Sequence, residues 1–494
     1  MRSRKRSRTK VTAFGALGAL AALSAGAALL ASANAASSGV NPLPTTATAA
    51  TGDALTVSQP SIPDTCVSLT AKLTANDRTF TAKAEETSPD TSRLQAALDA
   101  CTGTGKAVLL VAGRHADFLS GPLTVHADET LVIGEGVTLY ASRRASAYQN
   151  TSTAVSCGSL SSSEGGCKAF ITVSGAHAGI MGERGSAGQG SIDGRGDLDM
   201  LGSPTSWWKL ASQAQTAGDD QNAPRLIEAD RADDFTAYDI NLLNAPMFHL
   251  YYQSGTGLTV WGVNIKTPAP ARNTDGIDFY SATDATVYDS SIEDGDDGIA
   301  IKTNDSATAN VTIADSHFYG THGISIGSET TYGVSNVLVA NDTVDGEDSD
   351  GNVSGSDNGL RIKSDSAAGG PVRDVEYLDD CLQHMKAPLV FDTRYASSSG
   401  SHIPDFTSIT LEGVVSQNSL PGARSDLTGY SSNDPLGIHL SHVKLDATSS
   451  TSEYADITQY DSNLSASGSG VSISSPASGA GSYPSCSFPG YPTL

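Results

Sequence analysis

A chain of 494 residues is long enough to bury a large core, and 50 glycines with only 6% aromatic residues favour short strands and turns over packed helices. Its formal charge of −24 excludes nucleic acid and anionic membrane surfaces as partners. The same charge repels any anionic polymer at long range, so an acidic substrate would have to be held by local cations.

Residues 1–10, MRSRKRSRTK, are basic, residues 11–31 are apolar, and Ala33-Asn34-Ala35 offers a small-residue cleavage site. Together they predict a secretory signal peptide over residues 1–35 and a secreted, extracellular mature chain with no membrane association. The rival is an uncleaved anchor, since the apolar run is long enough to span a bilayer. Removing a segment with six basic and no acidic residues would take the formal charge from −24 to −30. Residues 36–60, small, polar and proline-containing, read as a flexible linker, and residues 61–494 as one folded domain. All six cysteines lie in that domain, and an even count in an oxidising compartment predicts up to three disulfides, with Cys157–Cys167 as the first pairing expected.

Residues 92–101, SRLQAALDAC, read as a helix with Asp90 or Thr91 as N-cap and Leu94, Ala97 and Leu98 on one face. Short apolar strands follow in AVLLVAG, LTVHA, ETLVIGEGVTLYA and AFITVSG. Four segments then repeat the pattern Gly, apolar, any, apolar, beginning at Gly276, Gly298, Gly323 and Gly359 with spacings of 22, 25 and 36. Short strands without intervening helices at such a period predict an all-β fold, a right-handed single-stranded parallel β-helix with an N-terminal capping helix. Equivalent residues would stack about 4.8 Å apart from coil to coil. Ile277, Ile299, Ile324 and Leu360 would then point inward, and Ala300, Lys302, Ser325, Arg361 and Lys363 outward.

One coil of separation brings Asp275 beside Asp296 and Asp297, with Gly295 and Gly298 expected to permit a turned backbone. On the next coil His322 takes the slot of Asp297, and Arg361 and Lys363 follow on the one after. Clustered carboxylates raise one another's pKa, so one can stay protonated while another is ionised. That division is what glycoside hydrolysis requires, and carboxyls on adjacent coils suit the wider separation of an inverting enzyme. Any one of these aspartates alone reads more simply as a solvated turn former. Their register with an imidazole and two cations favours a site.

The motifs NTDGIDF, DGDDGIAIK, THGISIGS and GLRIKS resemble, in order and approximate spacing, the four signatures of the polygalacturonases, family 28 of the glycoside hydrolases. GSIDGRG, LLNAPMFHLYY and APLVFDTRYA add flanking similarity, and the resemblance covers roughly residues 90–420. It implies that residues 61–494 form a β-helix hydrolase domain that cleaves α-1,4-galacturonosyl linkages of pectic polysaccharide by inversion, without metal or cofactor, as a monomer. Asp296 is similar to the family's general acid, Asp275 and Asp297 to the pair activating water, and His322 to the histidine supporting the acid. Arg361 and Lys363 match the motif that binds a uronate carboxylate. Tyr395, Asn273 and Lys302 carry over as substrate-binding, Lys302 with the alternative of pairing the aspartates.

Thr321 stands where the family usually has Gly or Ser. The acidic segment 345–357 has calcium-like carboxylate spacing, yet reads more simply as a solvated loop. Arg195-Gly196-Asp197 reads as a structural turn, His249 as a structural histidine, and Trp207-Trp208 as either a sugar platform or wall packing. The long segments 142–168 and 199–222 hint at extra groove walls. A polysaccharide lyase and a non-catalytic carbohydrate-binding β-helix are the rival functions.

Overall fold

A computed structural model describes residues 52–53, 57–356, 359–396 and 399–494, all within one compact unit, Pro44–Leu494. The expected signal peptide and most of the expected linker lie outside the described residues. Three long parallel sheets, of fourteen, ten and eleven strands among the described residues, share the coils of a right-handed parallel β-helix. Each coil crosses the fourteen-stranded, the ten-stranded and then the eleven-stranded sheet, as in Thr283–Tyr288, Ser291–Glu293 and Ile299–Lys302.

The glycine-led repeats fall in register on the eleven-stranded sheet. Ile277 pairs with Ile299, Ile299 with Ile324, and Ile324 with Leu360. These four, with Phe279, Ile301, Ile326 and Ile362, are buried in the core. Burial of each such side chain contributes about 1.5–3 kcal/mol, and the ladder repeats it on every coil.

The aspartate-rich composition has a structural origin away from this ladder. Asp239, Asp289, Asp315, Asn341 and Asp379 take left-handed φ of 48°, 49°, 50°, 59° and 57° where the fourteen-stranded sheet bends into the ten-stranded one. Asn and Asp tolerate that conformation better than other side chains with a Cβ. Asp275, Asp296 and Asp297 are absent from the left-handed set, so that role does not account for them.

The expected helix forms as α2, Thr91–Cys101, after a short α1, Ala82–Thr87. Leu94, Leu98 and Cys101 are buried, and Gln95 bonds the Thr124 backbone in both directions at 2.9 and 3.1 Å. Asp90 holds the N-cap position but makes no cap hydrogen bond, because its carboxylate accepts from Leu119 N and pairs with Arg93.

Both chain ends run back along the solenoid. Gly52 N donates to Asn336, Asp53 N to Thr312, and Gln59 to the Tyr238 hydroxyl, so this part of the expected linker lies along the outer face of the fourteen-stranded sheet. At the other end Tyr491 donates to Ile265 O, and Tyr319 donates to Pro489 O. Disulfides join Cys66–Cys101, Cys157–Cys167 and Cys381–Cys486, the second being the pairing expected from sequence.

Candidate active site

The turn into the eleven-stranded sheet carries the chemistry. Between Ser291–Glu293 and Ile299–Lys302 the chain makes a short turn through Asp294–Gly298 rather than a bulged strand. The turned backbone expected of Gly295 and Gly298 is present, and both glycines serve close approach without positive φ. A Cβ on Gly295 would meet Ala271 O at 2.0 Å, and one on Gly298 would meet Phe318 at 2.7 Å.

Asp297 is the most heavily bonded group in the cluster. Ser325 Oγ donates to its Oδ1 at 2.8 Å, Arg361 Nη1 to Oδ1 at 3.2 Å and Lys363 Nζ to Oδ2 at 2.7 Å. Burial pushes this carboxyl up, yet Lys363 and Arg361 outweigh it and hold it below the usual carboxylate range. Tyr395, 45% exposed, covers the two cations, its ring centroid 5.4 Å from the Arg361 guanidinium and 5.3 Å from Lys363 Nζ.

Asp296 sits one residue back and belongs to a different partner. Its Oδ1 lies 2.9 Å from His322 Nδ1, and its Oδ2 accepts from Asn273 Nδ2 at 3.4 Å. Burial raises its proton affinity, but the charge and hydrogen bond of His322, with Lys363 and Lys302 beyond, hold it well below the usual range. Asn273 reaches it from a left-handed backbone, φ 56°, which an asparagine tolerates.

Asp275 behaves in the opposite way. It is 3% exposed, its Oδ1 is buried without a hydrogen-bond partner, and its Oδ2 is 4.0 Å from Lys302 Nζ. Burial, then the charges of Asp278 and Asp296, raise it well above the ordinary value, which makes it the readiest of the three to hold a proton. Lys302 lies nearer Asp278, at 3.5 Å.

Sequence reading passed over two groups, Asp278 and Asp294. Asp278, outward on the strand Ile277–Tyr280, is fully buried and pushed up to about 7 by burial. Asp294 accepts from Asp296 N at 2.9 Å, while its other oxygen is buried without a partner. His249 donates through its backbone to Asp275 O at 2.9 Å, and its ring bridges Asp275 O and Thr267 Oγ1, so it is structural as expected but seats the Asp275 turn. Alternation along the strand was the available signal for Asp278, since it shares a column with Ala300 and Arg361.

Ligand-capable atoms of Asp296, Asp297 and His322 lie within 4.8 Å of one another. Lys363 and Arg361 already contact Asp297, so a cation placed there would meet two like charges. In the acidic segment, Asp345 is taken by Gln383 and His384, and Asp348 by Asn352 and backbone amides. Trp207 is buried edge-on against Tyr148, and Trp208 donates to Ala245 O, so both pack the wall. Arg195 is buried on Glu85 and Asp197 pairs with Arg78, consistent with a structural turn. The segments 142–168 and 199–222 pair with each other through Leu160–Ser161 and Asp220–Gln221.

A sequence profile described as glycosyl hydrolases family 28 matches residues 101–467. An endo-polygalacturonase of Pectobacterium carotovorum subsp. carotovorum is 39% identical over 406 residues, covering 82% of this chain and 92% of the relative. A polygalacturonase of Ralstonia solanacearum is 36% identical over 465 residues, covering 85% of each. Among solved structures, the polygalacturonase from Erwinia carotovora ssp. carotovora superposes with a TM-score of 0.72 at 37% identity, covering 82% of this chain and 99% of the other.

Proposed function

The chain belongs to family 28 of the glycosyl hydrolases and is a glycoside hydrolase, and on that premise we propose that it is a secreted endo-polygalacturonase of residues 61–494 acting by inversion. Endo attack is carried over from the Pectobacterium endo-polygalacturonase that is 39% identical. Three disulfides support an oxidising compartment and hence removal of residues 1–35 as a signal. The reading takes the chain as a monomer, because every group invoked comes from one chain.

The observation that carries the mechanism is the contrast in surroundings of three clustered aspartates, Asp297 under two cations, Asp296 on His322 and Asp275 buried with one oxygen unpartnered. Asp297, ionised under Lys363 and Arg361, is the base, and Asp275, protonated, is its partner in orienting water, so the pair enters with one proton between them. Water attacks the anomeric carbon and gives its proton to Asp297. The leaving glycosidic oxygen takes a proton from Asp296, which is resupplied across the 2.9 Å contact with His322. Arg361 and Lys363 turn to the substrate carboxylate, and losing Lys363 as a neighbour lets Asp296 take up the proton.

The test is incubation with polygalacturonic acid in chelator at mildly acidic pH, following reducing ends and ultraviolet absorbance together. Reducing ends without absorbance, with a rapid drop in polymer size, are expected. An absorbance rise would replace hydrolysis by elimination, and release of monomer alone would replace endo by exo attack.

A further inference from the structure

Beyond the cations at Asp297, the same edge of the solenoid carries a second positive hollow. A cavity of about 460 Å³ is lined by Lys386, Leu420, Pro421, Arg424, Asp426 and Thr451 among others. Arg361 pairs in register with Val390, and Val390 with Asp426, so the hollow lies one to two coils past the strand bearing Arg361. At about 4.8 Å per strand, its far side is roughly 10 Å along the groove.

Its charges are disposed unlike those of the paired arginines along the groove and wall. Arg78, Arg195, Arg225, Arg361 and Arg394 each contact a carboxylate. The exposed Arg424 side chain has no partner among the described residues, although its backbone N is fixed to Lys386 O at 3.1 Å. Lys386 Nζ donates to Ser354 O, and one oxygen of Asp426 is taken by the Thr428 hydroxyl at 2.6 Å. A 280 Å³ hollow on the other side of the site, lined by Glu164, Gln221, Arg225 and Glu228, offers no such charge. There Arg225 donates to Glu228 at 2.9 Å and lies 3.9 Å over the Tyr251 ring.

We propose that the Lys386–Arg424 hollow is a distal subsite for the free carboxylate of a galacturonate unit beyond the one held by Arg361 and Lys363. The proposal rests on the polygalacturonase reading and deepens it. A sugar unit is roughly as long as one strand spacing, so a chain laid along the groove from Arg361 presents its next carboxylates to these two side chains. Arg424 supplies the planar fork that suits a carboxylate, and Lys386 a point charge behind it. The preference is for unesterified units on this side of the scissile bond, because a methyl ester removes the charge that Arg424 would pair.

The test is Arg424→Gln in the full chain, measured as kcat/KM on unesterified oligogalacturonates of increasing length and on methyl-esterified ones. Arg424 is exposed, so the substitution leaves the fold and the shortest cleavable substrate unaffected. For substrates long enough to reach the hollow, kcat/KM should fall about fivefold, and the loss should shrink with added salt. Wild-type discrimination against esterified long substrates should shrink by the same factor. An equal loss on short and long substrates, or none on either, would overturn the subsite while leaving the hydrolase reading intact. No reducing ends from wild type on any galacturonate would overturn both.

Discussion

Asp278→Asn separates the buried charge of this site from its shape. The carboxyl lies 3.5 Å from Lys302 Nζ through one oxygen, and its other oxygen is buried without a partner. Burial raises it from 3.8 to about 7, against the opposing pull of Lys302. A folded-state value above the unfolded one means that the folded protein binds the proton more tightly. Its contribution is therefore full below pH 3.8 and is lost progressively as pH rises to about 7. That interval, at about 1.4 kcal/mol per pH unit, amounts to about 4 kcal/mol, of which somewhat more than half falls between pH 5 and pH 8. Other raised carboxyls are common to both proteins and cancel in the comparison. Urea denaturation of wild type and variant at the two pH values should show the stability gap moving in the variant's favour by about 2 kcal/mol at the higher pH, some of the effect being absorbed by the coupled Asp275. Parallel behaviour within about 0.5 kcal/mol would refute the burial argument. Activity gives a second reading, since the Asp278 charge helps to raise Asp275. Without it Asp275 should release its proton at lower pH, and the descending limb of the pH profile should move to lower pH.

Asp296→Asn should lower kcat by about 10²–10⁴-fold with little change in KM, the range for loss of a general acid; reducing-end kinetics within fivefold of wild type would remove Asp296 from that role. Lys363→Met removes the cation 2.7 Å from Asp297, so Asp297 should rise, the acid limb should move to higher pH, and KM should increase about tenfold. Replacing Cys381 and Cys486 with serine opens a sequence separation of 105 and should cost about 4 kcal/mol, read as a lower melting temperature with the tail around Tyr491 released to protease. Asp342 and Asp380 stack far from the site, Asp342 N donating to Asp380 Oδ1 at 3.0 Å; burial raises both well above 3.8, with the charge of Asp315 adding to Asp342 and that of Asp342 to Asp380. Their stabilising protons are lost at rising pH, so Asp380→Asn should flatten the alkaline decline in melting temperature; an unchanged slope between pH 6 and pH 9 would contradict this.

The periodic parts of this molecule were legible because a coil of a β-helix converts sequence spacing into contact. Spacings of 22, 25 and 36 differ only in loop length, and the strand register of Ile277, Ile299, Ile324 and Leu360 is the same on each coil. The catalytic candidates sit at the entrance to those strands, so their neighbours could be read from the same ladder. Asp278 escaped because an outward polar residue on an alternating strand looks solvated, and its burial comes from Tyr251 and Lys302 on adjacent coils. The return of the tail to Tyr319 and Ile265 escaped because no local pattern encodes it, and Cys381–Cys486 depends on that path. The proton on Asp275 escaped as well, since motif similarity names residues while their charge follows from desolvation.

A formal charge of −24 and an anionic substrate are reconciled by where the cations stand at rest. Arg361 and Lys363 are held in place by Asp297, and Tyr395 covers both. Lys302 is likewise held between Asp278 and Asp275. Such pairing keeps buried cations satisfied without substrate, and it sets a cost on any ligand that cannot replace the carboxylate it displaces. A uronate can make that replacement and a neutral sugar cannot, so selectivity follows from exchange of partners and not from net attraction. The same exchange withdraws from Asp296 and Asp297 the charges that keep them ionised, raising the proton affinity of both when a substrate is present to receive or supply the proton. Charge neutralisation of the ligand and activation of the acid are thus one event at Lys363, which is why its substitution should disturb KM and the pH profile together.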